Sequence, residues 1–241
     1  YPNDPFYWTS RSWGQSYADQ WGLKKIGGTK AVWDLYKGQG IKIAIVDTGV
    51  HYIHWDLDSN IWLNNKELKG RAGIDDDGNG FIDDIRGWDF VDNDNNPADM
   101  NGHGTHVAGI AAAEGNNSRG IVGVAPLAKV VPVRVLDENG SGFAQAVADG
   151  IRYAARMSHI INLSLGAMDI DQESFNLLQE AVNFARSRGR IVVASAGNFD
   201  DDVDRFSPAN LTGVIAVGAT NPSDTRSYYS NFGDKLFMTA P

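Results

Sequence analysis

Ile41-Lys42-Ile43-Ala44-Ile45-Val46-Asp47-Thr48-Gly49 is a run of mostly β-branched apolar residues that stops abruptly on a carboxylate and a glycine. Its apolar positions do not alternate with polar ones, which is the pattern of a strand covered on both faces. The same pattern recurs at Val130–Val135, Ile160–Leu165, Ile191–Ala194 and Val214–Val217. Helical periods separate several of these runs. Phe143, Val147, Ile151 and Ala155 recur at four-residue steps within 141–157, and Phe175, Leu178, Val182 and Ala185 share one face of 174–188. Strands alternating with helices through right-handed crossovers predict an α/β fold: three layers, α/β/α, around a central and mainly parallel sheet. Ligands of such sheets gather at the carboxyl ends of the strands, where Asp47, Gly166 and Asn198 fall.

The 241 residues, 42% of them apolar, suffice for one domain over 1–241, and no linker-like stretch or internal repeat divides them. A net charge of −9 argues against nucleic-acid and anionic-membrane partners, which favour basic surfaces. With no cysteine, disulfides and thiolate metal sites are excluded and the redox compartment is left open. No apolar run reaches the roughly 18 residues of a membrane span. Tyr1-Pro2-Asn3-Asp4 lacks the charged and apolar regions of a signal peptide, so a mature or trimmed chain is expected.

Asn101-Gly102-His103-Gly104-Thr105-His106-Val107-Ala108-Gly109 sets a histidine at the start of an apolar helix, and Ser195-Ala196-Gly197-Asn198 sets an amide after a buried strand. A serine hydroxyl becomes a useful nucleophile only when a nearby base takes its proton, and that base needs a carboxylate to fix its tautomer. Asp47 and His103 suit those two roles. The plainer alternatives are a turn aspartate and a helix cap at His103, and an ordinary turn residue at Asn198. His103 and His106 also have a metal-compatible spacing, but no third ligand accompanies them. His51, His54 and His159 read as structural.

Acid, base and amide in the order Asp, His, Asn resemble the subtilisin-like serine peptidases. The resemblance implies a subtilisin-like fold, with Asp47 orienting, His103 as general base and then acid, and Asn198 as an oxyanion donor beside the nucleophile's own N–H. It makes His106 a buried packing residue. It also makes Ser164-Leu165-Gly166 and Gly140-Ser141-Gly142 the two edges between which a polypeptide substrate lies as an added strand. The nucleophile belongs in a Gly-Thr-Ser-Met-Ala stretch, which is not met before Thr239-Ala240-Pro241. The chain by itself is therefore expected to be inactive, with a remainder carrying the serine as partner and a propeptide or inhibitor as another. A non-catalytic calcium-binding or scaffold module on the same fold is the rival reading.

Asp75-Asp76-Asp77-Gly78-Asn79-Gly80-Phe81-Ile82-Asp83 carries oxygen ligands at positions one, three, five and nine of a calcium loop, with glycine at six. Arg86 stands where the bidentate Glu of an EF-hand belongs, so Asp83 or Asp84 must close the shell; a solvated acidic insertion is the alternative. Trp88-Asp89-Phe90-Val91-Asp92-Asn93-Asp94-Asn95-Asn96-Pro97 and the opening Tyr1-Pro2-Asn3-Asp4-Pro5 resemble the thermitase-like branch of the family. That resemblance implies calcium at Asp89, Asp92, Asp94 and the Asn96 carbonyl, and a tighter site at Asp4, Asp56 and Asn117. Bound Ca2+ would offset much of the acidity, as suits a secreted protein.

Overall fold

Residues 2–28 and 30–241 are described by a computed structural model. Its strands are β1 (Lys42–Asp47), β2 (Trp88–Asp89), β3 (Lys129–Arg134), β4 (Ile160–Leu163), β5 (Ala167–Met168), β6 (Ile191–Ser195), β7 (Phe206–Ser207), β8 (Val214–Ala219) and β9 (Met238–Ala240). The α-helices are α1 (Pro5–Trp8), α2 (Trp21–Lys25), α3 (Lys30–Leu35), α4 (Asn65–Lys69), α5 (His103–Ala112), α6 (Ala144–Met157) and α7 (Gln172–Ser187).

Seven strands form one sheet in the order β2-β3-β1-β4-β6-β8-β9, every neighbouring pair parallel, while β5 and β7 make a small antiparallel pair. β1 shows why its sequence does not alternate. Ala44 and Val46 pack into the cluster built with α6 and α7, and Ile43 and Ile45 pack into the cluster built with Ala108 and Ala112 of α5. Both faces are therefore covered, which is the three-layer arrangement. Fully burying such a side chain is worth about 1.5–3 kcal/mol, so the sheet centre anchors whatever stands at its strand ends.

Register places those ends together. Ile45 pairs with Asn162 and Leu163 with Ala194, so the segments after Asp47, Leu163 and Ser195 leave the same sheet edge on adjacent strands. Helix α6 starts at Ala144, three residues later than the periodicity suggests, because Asp137 accepts the N–H groups of Asn139 and Ser141 and holds that stretch as a loop. α7 starts earlier, at Gln172, with the Asp171 carboxylate accepting the Ser174 N–H as a cap. Among the described residues, no helix is long and apolar enough to cross a membrane.

Candidate active site

The Asp47 carboxylate at the end of β1 is fully buried, and its Oδ1 lies 2.7 Å from His103 Nδ1. His103 is the first residue of α5, entered through Gly102 at φ +105°. Gly104 permits this approach: a Cβ there would stand 2.1 Å from the Gly49 carbonyl oxygen and 3.1 Å from Asp47 Cβ. Only a residue without a side chain lets the helix start rest on the strand end.

Asp99, which carries no local motif, ties the two elements together. Its Oδ1 accepts the Thr48 hydroxyl at 2.9 Å and the N–H groups of Asn101 and Gly102, and its Oδ2 accepts both N–H and hydroxyl of Thr105. Thr48 in turn accepts the Gly104 N–H at 3.0 Å. The hydrogen bond to Asp47 raises the His103 pKa above its ordinary 6.5; burial opposes this, and the charges of Asp47 and Asp99 add to it. With Nδ1 donating to Asp47, the basic lone pair of the neutral ring sits on Nε2.

His103 lines a cleft of about 630 Å³ together with Gly140, Ser141, Gly142, Ser164, Leu165 and Gly166. Leu136, Val147, Ile170 and Leu178 give it apolar walls. Asn198 is exposed beyond β6 at the same sheet edge and is not among the residues lining this cleft. His106 departs from expectation. It is exposed, because α5 buries Gly104, Ala108, Gly109 and Ala112 and turns His106 the other way. His159 is partly buried, its Nδ1 accepting the Lys42 N–H, and burial lowers its pKa.

The acidic sets differ from one another. Asp4 and Asp56 are both buried; Asp56 accepts the Asn117 side-chain amide at 2.7 Å, and Asp4 accepts the backbone N–H groups of Asn116 and Asn117. Burial raises the Asp56 pKa, and the nearby Asp4 charge adds to that. In the loop 75–83, ligand oxygens of Asp75 and Asp77 gather with one from Glu67 within 4.8 Å of each other. Glu67 was missed because it belongs to α4, outside the loop pattern. Asn79 caps the turn by accepting the Phe81 N–H, whereas Asp83 accepts the Gly73 N–H and lies outside that cluster. Asp84 is bound by Asn64, Asn79 and Tyr153, and burial pushes its pKa up to about 6.

At the remaining set the arrangement is a salt bridge. Arg134 Nη1 lies 2.5 Å from Asp89 Oδ2 and 2.6 Å from Asp92 Oδ2, while Asp94 accepts the Asn96 N–H and the Asn96 side chain accepts the Tyr52 hydroxyl. A guanidinium thus already stands between two of the four proposed ligands.

The model of the subtilase family matches residues 38–241. Thermitase of Thermoactinomyces vulgaris is 43% identical over 241 residues, covering 100% of this chain and 73% of that protein. A thermophilic serine proteinase of Bacillus sp. (strain AK1) is 43% identical over 242 residues, and the chain spans 51% of its length. Among solved structures, a protease from Pseudoalteromonas arctica matches 100% of this chain and 72% of its own, at a TM-score of 0.76 and 31% identity. A cold-adapted subtilisin-like serine proteinase matches 86% of this chain and 64% of its own, at a TM-score of 0.67 and 30% identity. The chain belongs to the subtilase family of serine proteases and has the subtilisin-like three-layer α/β/α fold.

Proposed function

We propose that this chain supplies the general base, its orienting carboxylate and the substrate cleft of a serine endopeptidase that works by acyl transfer on polypeptides. The observation that carries the reading is the 2.7 Å contact between a buried Asp47 oxygen and His103 Nδ1 at the mouth of the cleft. His103 Nε2 takes the proton of a serine hydroxyl as that oxygen attacks the peptide carbonyl. Asn198 donates to the oxyanion, and the imidazolium, stabilised by Asp47, then protonates the departing amine. Water repeats the cycle on the acyl-enzyme. The serine is assigned to a Gly-Thr-Ser-type segment of the same gene product, and a propeptide or inhibitor would occupy the cleft as a substrate does.

Calcium is proposed as a structural ion in a secreted enzyme. Asp4 and Asp56 fit it, being buried carboxylates close enough for the charge of Asp4 to raise the Asp56 pKa, and both are hydrogen-bonded to Asn117. Asp75 and Asp77, joined by Glu67 rather than Asp83, fit it by donor chemistry, whereas the Asn79 oxygen is turned to the Phe81 N–H. Asp89, Asp92, Asp94 and Asn96 fit it poorly as arranged, because Arg134 neutralises the first two. The ion's contribution is charge neutralisation of these oxygens.

Hydrolysis of a denatured protein by the full gene product tests the reading. Asp47→Asn should cost about 10⁴-fold in kcat with the fold intact. A folded wild-type protein that cleaves nothing would favour the non-catalytic module instead.

A further inference from the structure

The segment that carries Asn198 is fixed by a residue 32 positions further along the chain from Phe199. Asn231, between β8 and β9, is fully buried. Its backbone N–H donates to the Gly197 carbonyl at 3.0 Å, and its side-chain Oδ1 accepts the N–H groups of Phe199 at 2.9 Å and Asp201 at 3.2 Å. The peptides immediately before and after Asn198 are thus tied to one side chain and its own backbone, while Asn198 itself stays exposed.

The neighbouring residues extend the splint. Asp200 N–H donates to the Tyr229 carbonyl at 2.9 Å, Phe232 N–H to Asp201 at 3.0 Å, and Val203 N–H to Phe232 at 2.7 Å. Gly197 is shaped for the contact, with φ +102° and a Cβ position that would fall 2.5 Å from Asn231 Nδ2. That Nδ2 is buried without a hydrogen-bond partner among the described residues, so the amide serves this site through its oxygen.

We infer that Asn231 is a positioning residue of the oxyanion site, acting through the backbone on either side of Asn198 to hold that amide where charge develops. The inference rests on the proposed role of Asn198. A preorganised donor contributes only if it needs no reorganisation during reaction, and a displacement of about 1 Å can cost about 10²-fold.

The test is a kinetic cycle on the full gene product with a peptide substrate. Asn198→Ala should lower kcat by about 10²–10³-fold. Asn231→Leu, which removes the acceptor at similar size, should lower kcat by roughly 10–100-fold with little change in KM, and should add nothing to Asn198→Ala. Asn231→Asp, which keeps Oδ1, should recover most of the rate. Multiplicative effects in the double variant, or an unchanged kcat in Asn231→Leu, would overturn the inference. An unchanged kcat in Asn198→Ala would instead remove the reading beneath it. Hydrogen exchange on the wild type covers the case in which Asn231→Leu does not fold: the Phe199 and Asp201 amides should be protected although Phe199 is exposed and Asp201 only half-buried, and exchange at the open-loop rate would refute the splint.

Discussion

Asp47 is sealed from solvent while His103, whose Nδ1 it holds at 2.7 Å, remains 49% exposed at the side chain. The carboxylate stands at the end of a central strand and the imidazole at a helix start, so the pair joins the buried sheet to an open cleft. A titrating ring in that position reports on the contact directly.

The His103 pKa lies above 6.5, chiefly through its hydrogen bond to Asp47. The folded state therefore binds this proton more tightly than the unfolded chain, and the stability it contributes is complete below the unfolded pKa and lost as pH rises through the folded one. Activity runs the opposite way, since only the neutral ring accepts a proton. NMR titration of the ring should show a pKa above 6.5 that falls in Asp47→Asn; an unmoved titration would mean the contact does not bind the imidazolium.

Gly104→Ala should separate the pair. A methyl group 2.1 Å from the Gly49 carbonyl oxygen cannot be accommodated without moving α5 off β1. Overpacking of this kind costs about 1–3 kcal/mol, read as a lower Tm together with a fall in the His103 pKa. A variant with wild-type Tm and titration would show that the helix start has slack.

Arg134→Met tests the acidic segment before α5. Asp89 has a side-chain exposure of 1% and would lose its cationic partner, a loss worth about 3–5 kcal/mol when a buried charge is left alone. Melting in chelator should fall accordingly, and added calcium should recover more of it than in the wild type. An equal calcium response in both proteins would count against any ion binding at Asp89, Asp92 and Asp94.

Chelation of the wild type addresses the other two sets. An ion at about 100 times its Kd stabilises by roughly 2.7 kcal/mol per site, so EDTA should lower Tm and calcium restore it. Asp4→Asn should shrink that response, and Glu67→Gln should shrink it independently, because the two sets lie in different segments. A melting curve indifferent to EDTA would show that neither set holds an ion.

The parallel sheet was legible because Ile43 to Val46 and their counterparts present apolar side chains to both faces, a pattern that few other environments reward. The two-residue β2 and three-residue β9 were not, since so short a segment has no period and pairs only because β3 and β8 stand ready at the sheet edges. The helix near Ser141 was placed three residues early for a related reason: Phe143 fits the period, yet Asp137 fixes the loop before it. Asp47, His103 and the cleft-lining glycines carry local motifs and could be singled out. Asp99, Glu67 and Asn231 carry none, because what they do is set by hydrogen bonds to segments that are close only after folding. His106 is exposed, contrary to what the resemblance implies, because it lies on the face of α5 away from the buried Gly104, Ala108, Gly109 and Ala112.

Whether Asp47 and His103 activate a serine is read from the rate at which a peptidyl fluorophosphonate labels the full gene product as a function of pH. Mass should add at one serine, at a rate that rises through the pKa of His103, above 6.5. Labelling should slow by about 10³-fold or more in His103→Ala. A labelling rate that ignores both pH and the loss of His103 would contradict that activation.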